Sequence, residues 1–312
     1  MSLFAILCSG QGAQSPDLFA QFPFTDKGFA LKQRILEAGC LEAEVAAWLA
    51  HPTAAPDAIY QNHYSQPLLC LFQAMIWAEL EDGLPLPGLI AGYSLGELSA
   101  YGCAGAITTE DVLRLAGMRA RAMDTAAATG ELLAVTGLSI EAATAAATPA
   151  GGYVAIVIGD DHCVLGCLAT QAIAVMDAMR AAGAREVIPL HVSVASHTPL
   201  LDAAVEPFRK ALQTAAWSTP RMPILAGINS AKVLRREQME LWLPEQIHHA
   251  IRWDRIQQRM RESNCHVFLE LGPGRQLAHM AAGAGVEARS VEEFRSIDGI
   301  LAWVAKALDR AS

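Results

Sequence analysis

The chain has 312 residues, 53% of them hydrophobic and 18% charged, and a formal net charge of −9. That composition is too apolar for a disordered chain, and an acidic balance without clustered cations argues against a nucleic-acid partner. No run approaches the roughly 18 uncharged apolar residues of a membrane span, so no membrane association is expected.

The start, "MSLFAILCSGQG", has no positive n-region and only a short apolar run, Leu3 to Cys8, which points to a cytoplasmic location. Seven cysteines at scattered positions, without a CxxC pair, read as reduced core residues and not as a disulfide framework or a zinc ribbon. Leu3 to Cys8 predicts a strand. The turn that follows, "SGQGAQ" from Ser9 to Gln14, is either a tight strand-to-helix connection or a nest of backbone N–H groups for an anion.

Pro67 is expected to begin a helix that runs to about Leu80, ended by "DGLPLPG", with a strand from Leu86 to Gly92 next. Then comes "GYSLGE", residues 92 to 97. G-x-S-x-G between a strand and a helix is the nucleophile-elbow pattern: the sharp turn lifts the Ser94 hydroxyl above the sheet, and the glycines relieve crowding. The helix should begin near Glu97 and close at Gly102 and Gly105, with Glu97 complementing its dipole and the free N–H groups of its first turn facing a developing oxyanion. The pattern alone is equally that of a serine esterase or thioesterase.

Arg119 is the most informative residue of the next segment, "TTEDVLRLAGMRARAMDTA". After a capping-box-like Thr108-x-x-Asp111, the apolar stripe runs Val112, Leu115, Ala116, Arg119, Ala122, Met123, Ala126, so Arg119 lies on the buried face. An unpaired guanidinium there would be very costly. Either it pairs with a core carboxylate, or it is a planar fork for the carboxylate of a substrate.

An alanine-rich stretch over residues 120 to 150 suggests a boundary. Beyond it the pattern predicts strand Glu131 to Leu138, helix Ile140 to Ala147, strand Tyr153 to Gly159, a turn at Asp160-Asp161, strand Cys163 to Leu168, helix Ala169 to Ala182 and strand Arg185 to Val194. That βαββαβ order is the ferredoxin-like arrangement, inserted into a larger unit whose strands alternate with helices. The expected division is 1–128 with 197–312 for the large unit and 129–196 for the small one.

A serine nucleophile needs a base. His197, in "VASHTP", follows an alternating strand, and Pro199 keeps Thr198 extended, so His197 sits at a strand end: a surface-loop histidine or the base. His162, beside Asp160 and Asp161, is its rival, and a triad completed by either aspartate would make a hydrolase. His248-His249 look solvated. "FLELGPGRQL" reads as another strand leading into a Gly-Pro-Gly turn.

Taken together, "GQGAQ" at 10 to 14, "SQPLL" at 65 to 69, "GYSLGE", "MRARAM" at 118 to 123, "VASH" at 194 to 197, Gln246 ahead of "IRW" and "ELGPG" at 270 to 274 resemble the malonyl-CoA:acyl carrier protein transacylase family. The resemblance implies an α/β-hydrolase-like domain with a parallel sheet and an inserted ferredoxin-like subdomain. It implies Ser94 as nucleophile, His197 as base and the Gln246 main-chain carbonyl as the group that orients the imidazole. It further implies the N–H groups of Gln11 and Leu95 as oxyanion hole and Arg119 as the anchor of the malonyl carboxylate. The implied reaction is ping-pong transfer from malonyl-CoA to the phosphopantetheine-type thiol of an acyl carrier protein, with no metal or redox cofactor.

The sequence departs from most relatives at Tyr93, where they have histidine, at Ala120, where they have glycine, and at Cys8-Ser9, where they have Phe-Pro. Tyrosine before the serine and the tail "ARSVEEFRSIDGILAWV" resemble the malonate decarboxylase epsilon subunit, which implies the carrier subunit of malonate decarboxylase as acceptor; the alternative within the family is a fatty-acid-synthesis or polyketide malonyl-CoA:acyl carrier protein transacylase. The serine before His197 leaves malonyl against methylmalonyl selectivity open. Lys232, Arg235 and Arg236 are candidate cations for docking an acidic carrier.

Overall fold

The computed structural model describes residues 3–126, 129–190, 192, 194–283 and 285–311. Two sheets organise them. The first contains β1 (Phe4–Cys8), β2 (Leu89–Gly92), β7 (Ile224–Leu225), β8 (Lys232–Val233), β10 (Val267–Glu270) and β11 (Glu287–Ser290), in the order β11-β10-β1-β2-β7-β8. All its pairings are parallel except β7 with β8. Every residue of β1, β2 and β10 is buried, because helices cover both faces of a parallel sheet and continuous apolar runs such as "FAILC" are what that environment selects.

The second sheet contains β3 (Gly130–Thr136), β4 (Tyr153–Gly159), β5 (His162–Leu168) and β6 (Glu186–Pro189), ordered β6-β3-β5-β4, with antiparallel pairings among them. Helices Ile140–Ala147 and Ala172–Ala181 make the crossovers, which is the ferredoxin-like arrangement. A fifth strand, β9 (Ile251–Arg252), joins β4 in parallel from far along the chain. One apolar cluster joins the two sheets, with Ala5, Leu7 and Ala91 from the first, Leu132 and Ile156 from the second, and the buried Trp253 just after β9.

Several boundaries differ from expectation for identifiable reasons. The helix expected from Pro67 begins at Asn62, and Pro67 lies inside it, one turn in. The strand expected from Leu86 starts at Leu89, since Pro85 and Pro87 carry no N–H for a ladder. β6 ends at Pro189, well short of Val194, again at a proline. Of the rest of that predicted strand, His191 and Ser193 lie outside the described residues, as do residues 127 and 128 at the predicted boundary.

Strand order places the functional ends. From β1 the chain passes to β2 on one side, while β10 returns on the other, so the order reverses at β1. In open α/β sheets a crevice opens beyond the carboxyl ends of strands at such a switch point. Ser9 to Gln11 follow β1, Ser94 follows β2, and Gly272 to Gly274 follow β10.

Candidate active site

Ser94 occupies the turn between β2 and helix Gly96–Cys103 with φ +55°, a left-handed conformation costing about 1–3 kcal/mol in a non-glycine residue. The flanking glycines make that turn possible. A Cβ on Gly92 would lie 1.9 Å from the Gly96 carbonyl carbon, and one on Gly96 would lie 2.0 Å from the Cys8 carbonyl oxygen. The turn after β1 is pressed against the elbow, since a Cβ on Gly10 would sit 2.6 Å from the Tyr93 carbonyl oxygen and 3.5 Å from the Ser94 Cβ. Gln11 therefore lies beside Ser94. Its backbone N–H and that of Leu95 have no hydrogen-bond partner among the described residues, and Leu95 begins the helix whose N-terminus carries partial positive charge.

His197 comes from the long connection after β6. It is buried, has φ +65°, and is held twice by one segment: its N–H donates to the Ile247 carbonyl at 2.8 Å, and its Nδ1 lies 2.5 Å from the Gln246 carbonyl oxygen. A carbonyl only accepts, so Nδ1 carries the hydrogen and Nε2 is left as an acceptor. Ser94 Oγ is 2.8 Å from that Nε2. Burial pushes the imidazole down to about 3, helped by the Arg119 charge and opposed by the Gln246 carbonyl, so the ring is neutral at physiological pH and free to accept a proton. The rival acids are elsewhere: Asp160 and Asp161 lie exposed in the β4–β5 turn, and His162 opens β5.

Arg119, from helix Thr109–Ala126, is 1% exposed, and among the described residues no carboxylate oxygen lies within 4.0 Å of its guanidinium. It donates from Nη1 to Gln66 Oε1 at 3.0 Å and from Nη2 to Gln246 Oε1 at 3.2 Å, both neutral amide oxygens. Burial lowers its pKa to about 10, which leaves it charged at neutral pH. The ion pair with a core carboxylate is thus not what buries it.

Side-chain contacts of Gln246 and Glu97 that the sequence did not indicate complete the arrangement. The Gln246 side chain donates from Nε2 to the Ser94 carbonyl at 3.1 Å and to Glu97 Oε2 at 2.6 Å, while its Oε1 holds Arg119. One residue thus touches Ser94, His197, Arg119 and Glu97. Glu97 lies in the first turn of its helix, as expected, and is 1% exposed; its Oε2 also accepts from the Gly227 N–H at 3.0 Å. Burial raises its carboxyl to about 7, against the pull of those hydrogen bonds and of Arg119. The signal available in sequence was a carboxylate inside an apolar helix, Gly96–Cys103.

The turn after β10 is fixed by its own polar contacts. Gln73 Nε2 donates to the Ser9 carbonyl at 2.8 Å and to the Gly272 carbonyl at 2.6 Å, and Glu270 accepts from Ser9 Oγ at 2.7 Å and from the Ala278 N–H at 2.8 Å. Tyr93 packs its ring edge-on to Trp253, with centroids 5.2 Å apart. A serine with an acceptor imidazole, two free N–H groups and a buried unmatched cation can carry out acyl transfer on a substrate bearing a carboxylate.

Residues 6–299 match the acyl transferase domain family. The chain belongs to that family. Among relatives of this acyl transferase, the malonyl CoA-acyl carrier protein transacylase of Salmonella typhimurium is 28% identical over 89% of this chain and 91% of its own. The crystal structure of an acyl-carrier-protein S-malonyltransferase from Burkholderia pseudomallei is 25% identical, covers 97% of this chain and 100% of its own, and superimposes with a TM-score of 0.86. A type II polyketide synthase acyl-carrier protein in complex with its malonyl-transacylase gives 26% identity and a TM-score of 0.84, covering 98% of this chain and 99% of that one. No helix among the described residues is long and apolar enough to cross a membrane.

Proposed function

We propose that this acyl transferase moves a malonyl group from malonyl-CoA, through an ester on Ser94, to the phosphopantetheine-type thiol of a carrier protein. The observation that carries the reading is Arg119: a charge buried beside the serine with only neutral amide partners is suited to a substrate that brings its own carboxylate. The names of the relatives agree with it.

In the proposed sequence, His197 Nε2 removes the Ser94 proton as Oγ attacks the thioester carbonyl. The oxyanion forms toward the N–H groups of Gln11 and Leu95; one such donor is worth about 10²–10³ in rate. As the tetrahedral adduct collapses, the C–S bond breaks and CoA leaves with the proton from His197. The carrier thiol then gives its proton to His197 and attacks the ester, and Ser94 Oγ recovers the proton on leaving. The Gln246 carbonyl holds the imidazolium that forms in each half-reaction, in the position where a triad has a carboxylate.

The proposed acceptor is the carrier subunit of malonate decarboxylase, on the basis of Tyr93 and the C-terminal segment, with Lys232, Arg235 and Arg236 as its contact cations. Lys232 and Arg235 are exposed, whereas Arg236 already pairs with Glu240 at 2.6 Å. Incubation with labelled malonyl-CoA should place label on the Ser94 peptide and leave Ser94→Ala unlabelled; label elsewhere, or retained in Ser94→Ala, sinks the mechanism. Transfer rates to the decarboxylase carrier and to a fatty-acid-type carrier, measured side by side, decide the acceptor.

A further inference from the structure

The turn that carries Gln246 also carries a side-chain cluster that acyl transfer leaves unused. Glu245, His248 and His249 each bring one ligand atom within 4.8 Å of the others. His248 Nε2 lies 2.9 Å and His249 Nδ1 3.3 Å from Glu245 Oε2. Tetrahedral zinc with bonds of about 2.0–2.1 Å spaces its ligand atoms about 3.3 Å apart, so these separations accept an ion with small side-chain adjustments.

A second feature supports a metal independently of that spacing. Metal-bound histidine usually donates its other ring N–H to a carboxylate, and ligating carboxylates are themselves held by hydrogen bonds. Here His248 Nδ1 is 2.6 Å from Asp202 Oδ1, which fixes the ring with Nε2 toward the cluster, and Glu245 Oε1 accepts from Arg209 Nη2 at 2.5 Å, leaving Oε2 for an ion. Arg209 is the cation that would oppose binding. Its charge is offset by Glu206 at 3.4 Å as well as by Glu245. The His249 side chain is 60% exposed, so an ion can enter from solvent.

We propose that Glu245 Oε2, His248 Nε2 and His249 Nδ1 bind a zinc-class divalent ion, with water completing the tetrahedron. Two imidazoles and one carboxylate are a donor set suited to zinc and its first-row neighbours. The position gives such an ion a consequence. Gln246 and Ile247, between the ligands, supply the carbonyls that hold the His197 ring and backbone, so an ion pinning residues 245, 248 and 249 would stiffen the support of that imidazole.

The test is calorimetric titration of tag-free, chelator-treated protein with Zn²⁺, and with Co²⁺ for its visible absorption. One ion should bind per chain with four-coordinate cobalt bands. His249→Ala and Glu245→Gln should each weaken binding at least about tenfold, and Asp202→Asn about 10–100-fold, with circular dichroism unchanged. Absence of saturable binding at one equivalent, or binding unaltered in His249→Ala, overturns the proposal and leaves the cluster as an ion-pair network. The binding readout needs no malonyl transfer, and Ser94→Ala should bind zinc as the parent chain does, so the two readings fail separately.

Discussion

Replacing Arg119 with alanine tests the substrate reading most directly, and the structure separates its several effects. The guanidinium is 1% exposed and its partners are two neutral amide oxygens, so a malonyl carboxylate would be its full-charge partner in a water-poor site. Removing one side of a buried, hydrogen-bonded charge pair costs about 2–4 kcal/mol, or roughly 30- to 900-fold in kcat/KM for malonyl-CoA. The substitution also leaves Gln66 Oε1 and Gln246 Oε1 without their donor and removes the cation that helps hold His197 neutral. Those losses fall on every acyl group alike. Acetyl-CoA lacks the distal carboxylate and therefore serves as the internal reference. Stopped-flow acylation of Ser94 by the two thioesters should show malonyl discrimination collapsing by roughly 30-fold or more while acetyl transfer falls far less. An equal fall for both would show that Arg119 is a structural residue of the Gln66–Gln246 bridge, and the substrate assignment would then be wrong.

Other outcomes follow from the same geometry. His197→Ala should cut acyl-enzyme formation by about 10²–10⁴-fold, read by mass spectrometry of the Ser94 peptide. Because His197 titrates near 3, acylation in the parent chain should not decline as pH drops through 6.5; in Arg119→Ala the acid limb should move to higher pH, which a kcat/KM profile for acetyl-CoA would record. For stability, the unfolded chain protonates this histidine below about 6.5 while the native one does not, so His197 destabilises the fold as pH falls toward 3. Glu97 acts oppositely: its folded pKa near 7 lies above the unfolded 4.5, so its contribution is full below 4.5 and lost as pH rises through 7, by roughly 3 kcal/mol. Glu97→Gln should flatten that loss in urea titrations at pH 5 and 8. Gly96→Ala should fail to fold or melt far lower, because its Cβ would lie 2.0 Å from the Cys8 oxygen, whereas Gly159→Ala, with nothing within 4 Å, should stay within about 0.5 kcal/mol.

What could be read from sequence was whatever a local pattern encodes. The elbow is local: strand, G-x-S-x-G and helix are consecutive, and the steric demand on Gly92 and Gly96 comes from neighbours in the same turn and the adjoining strand. Arg119 was legible for a related reason, since a helical stripe reports which face is buried. The ferredoxin-like unit was legible because its strands and helices alternate within one continuous stretch; β6 falls furthest short of its expected length, β3 ends at Thr136 instead of Leu138, and the second helix starts at Ala172 instead of Ala169.

What stayed hidden depends on contacts between residues far apart in the chain. Glu97 is the first-turn helix acid that the pattern indicated, but its burial depends on Gly227 and Gln246, more than a hundred residues on, which close over it. His248 looked solvated, yet Asp202 and Glu245 hold both of its ring nitrogens. Gln246 is the sharpest case. The family resemblance pointed to its main-chain carbonyl, but its amide also ties the Ser94 carbonyl and Glu97 to Arg119. A glutamine can do this because its amide carries a donor and an acceptor at once: Oε1 faces the guanidinium while Nε2 faces the carboxylate and the carbonyl. Glutamate there would repel Glu97 and neutralise Arg119 before any substrate arrived. Leucine would leave the Glu97 carboxyl and the Arg119 guanidinium each short of a buried hydrogen-bond partner. The amide thus keeps Arg119 charged and hydrogen-bonded without a counter-ion, which is the condition for a carboxylate-bearing acyl group to bind beside Ser94.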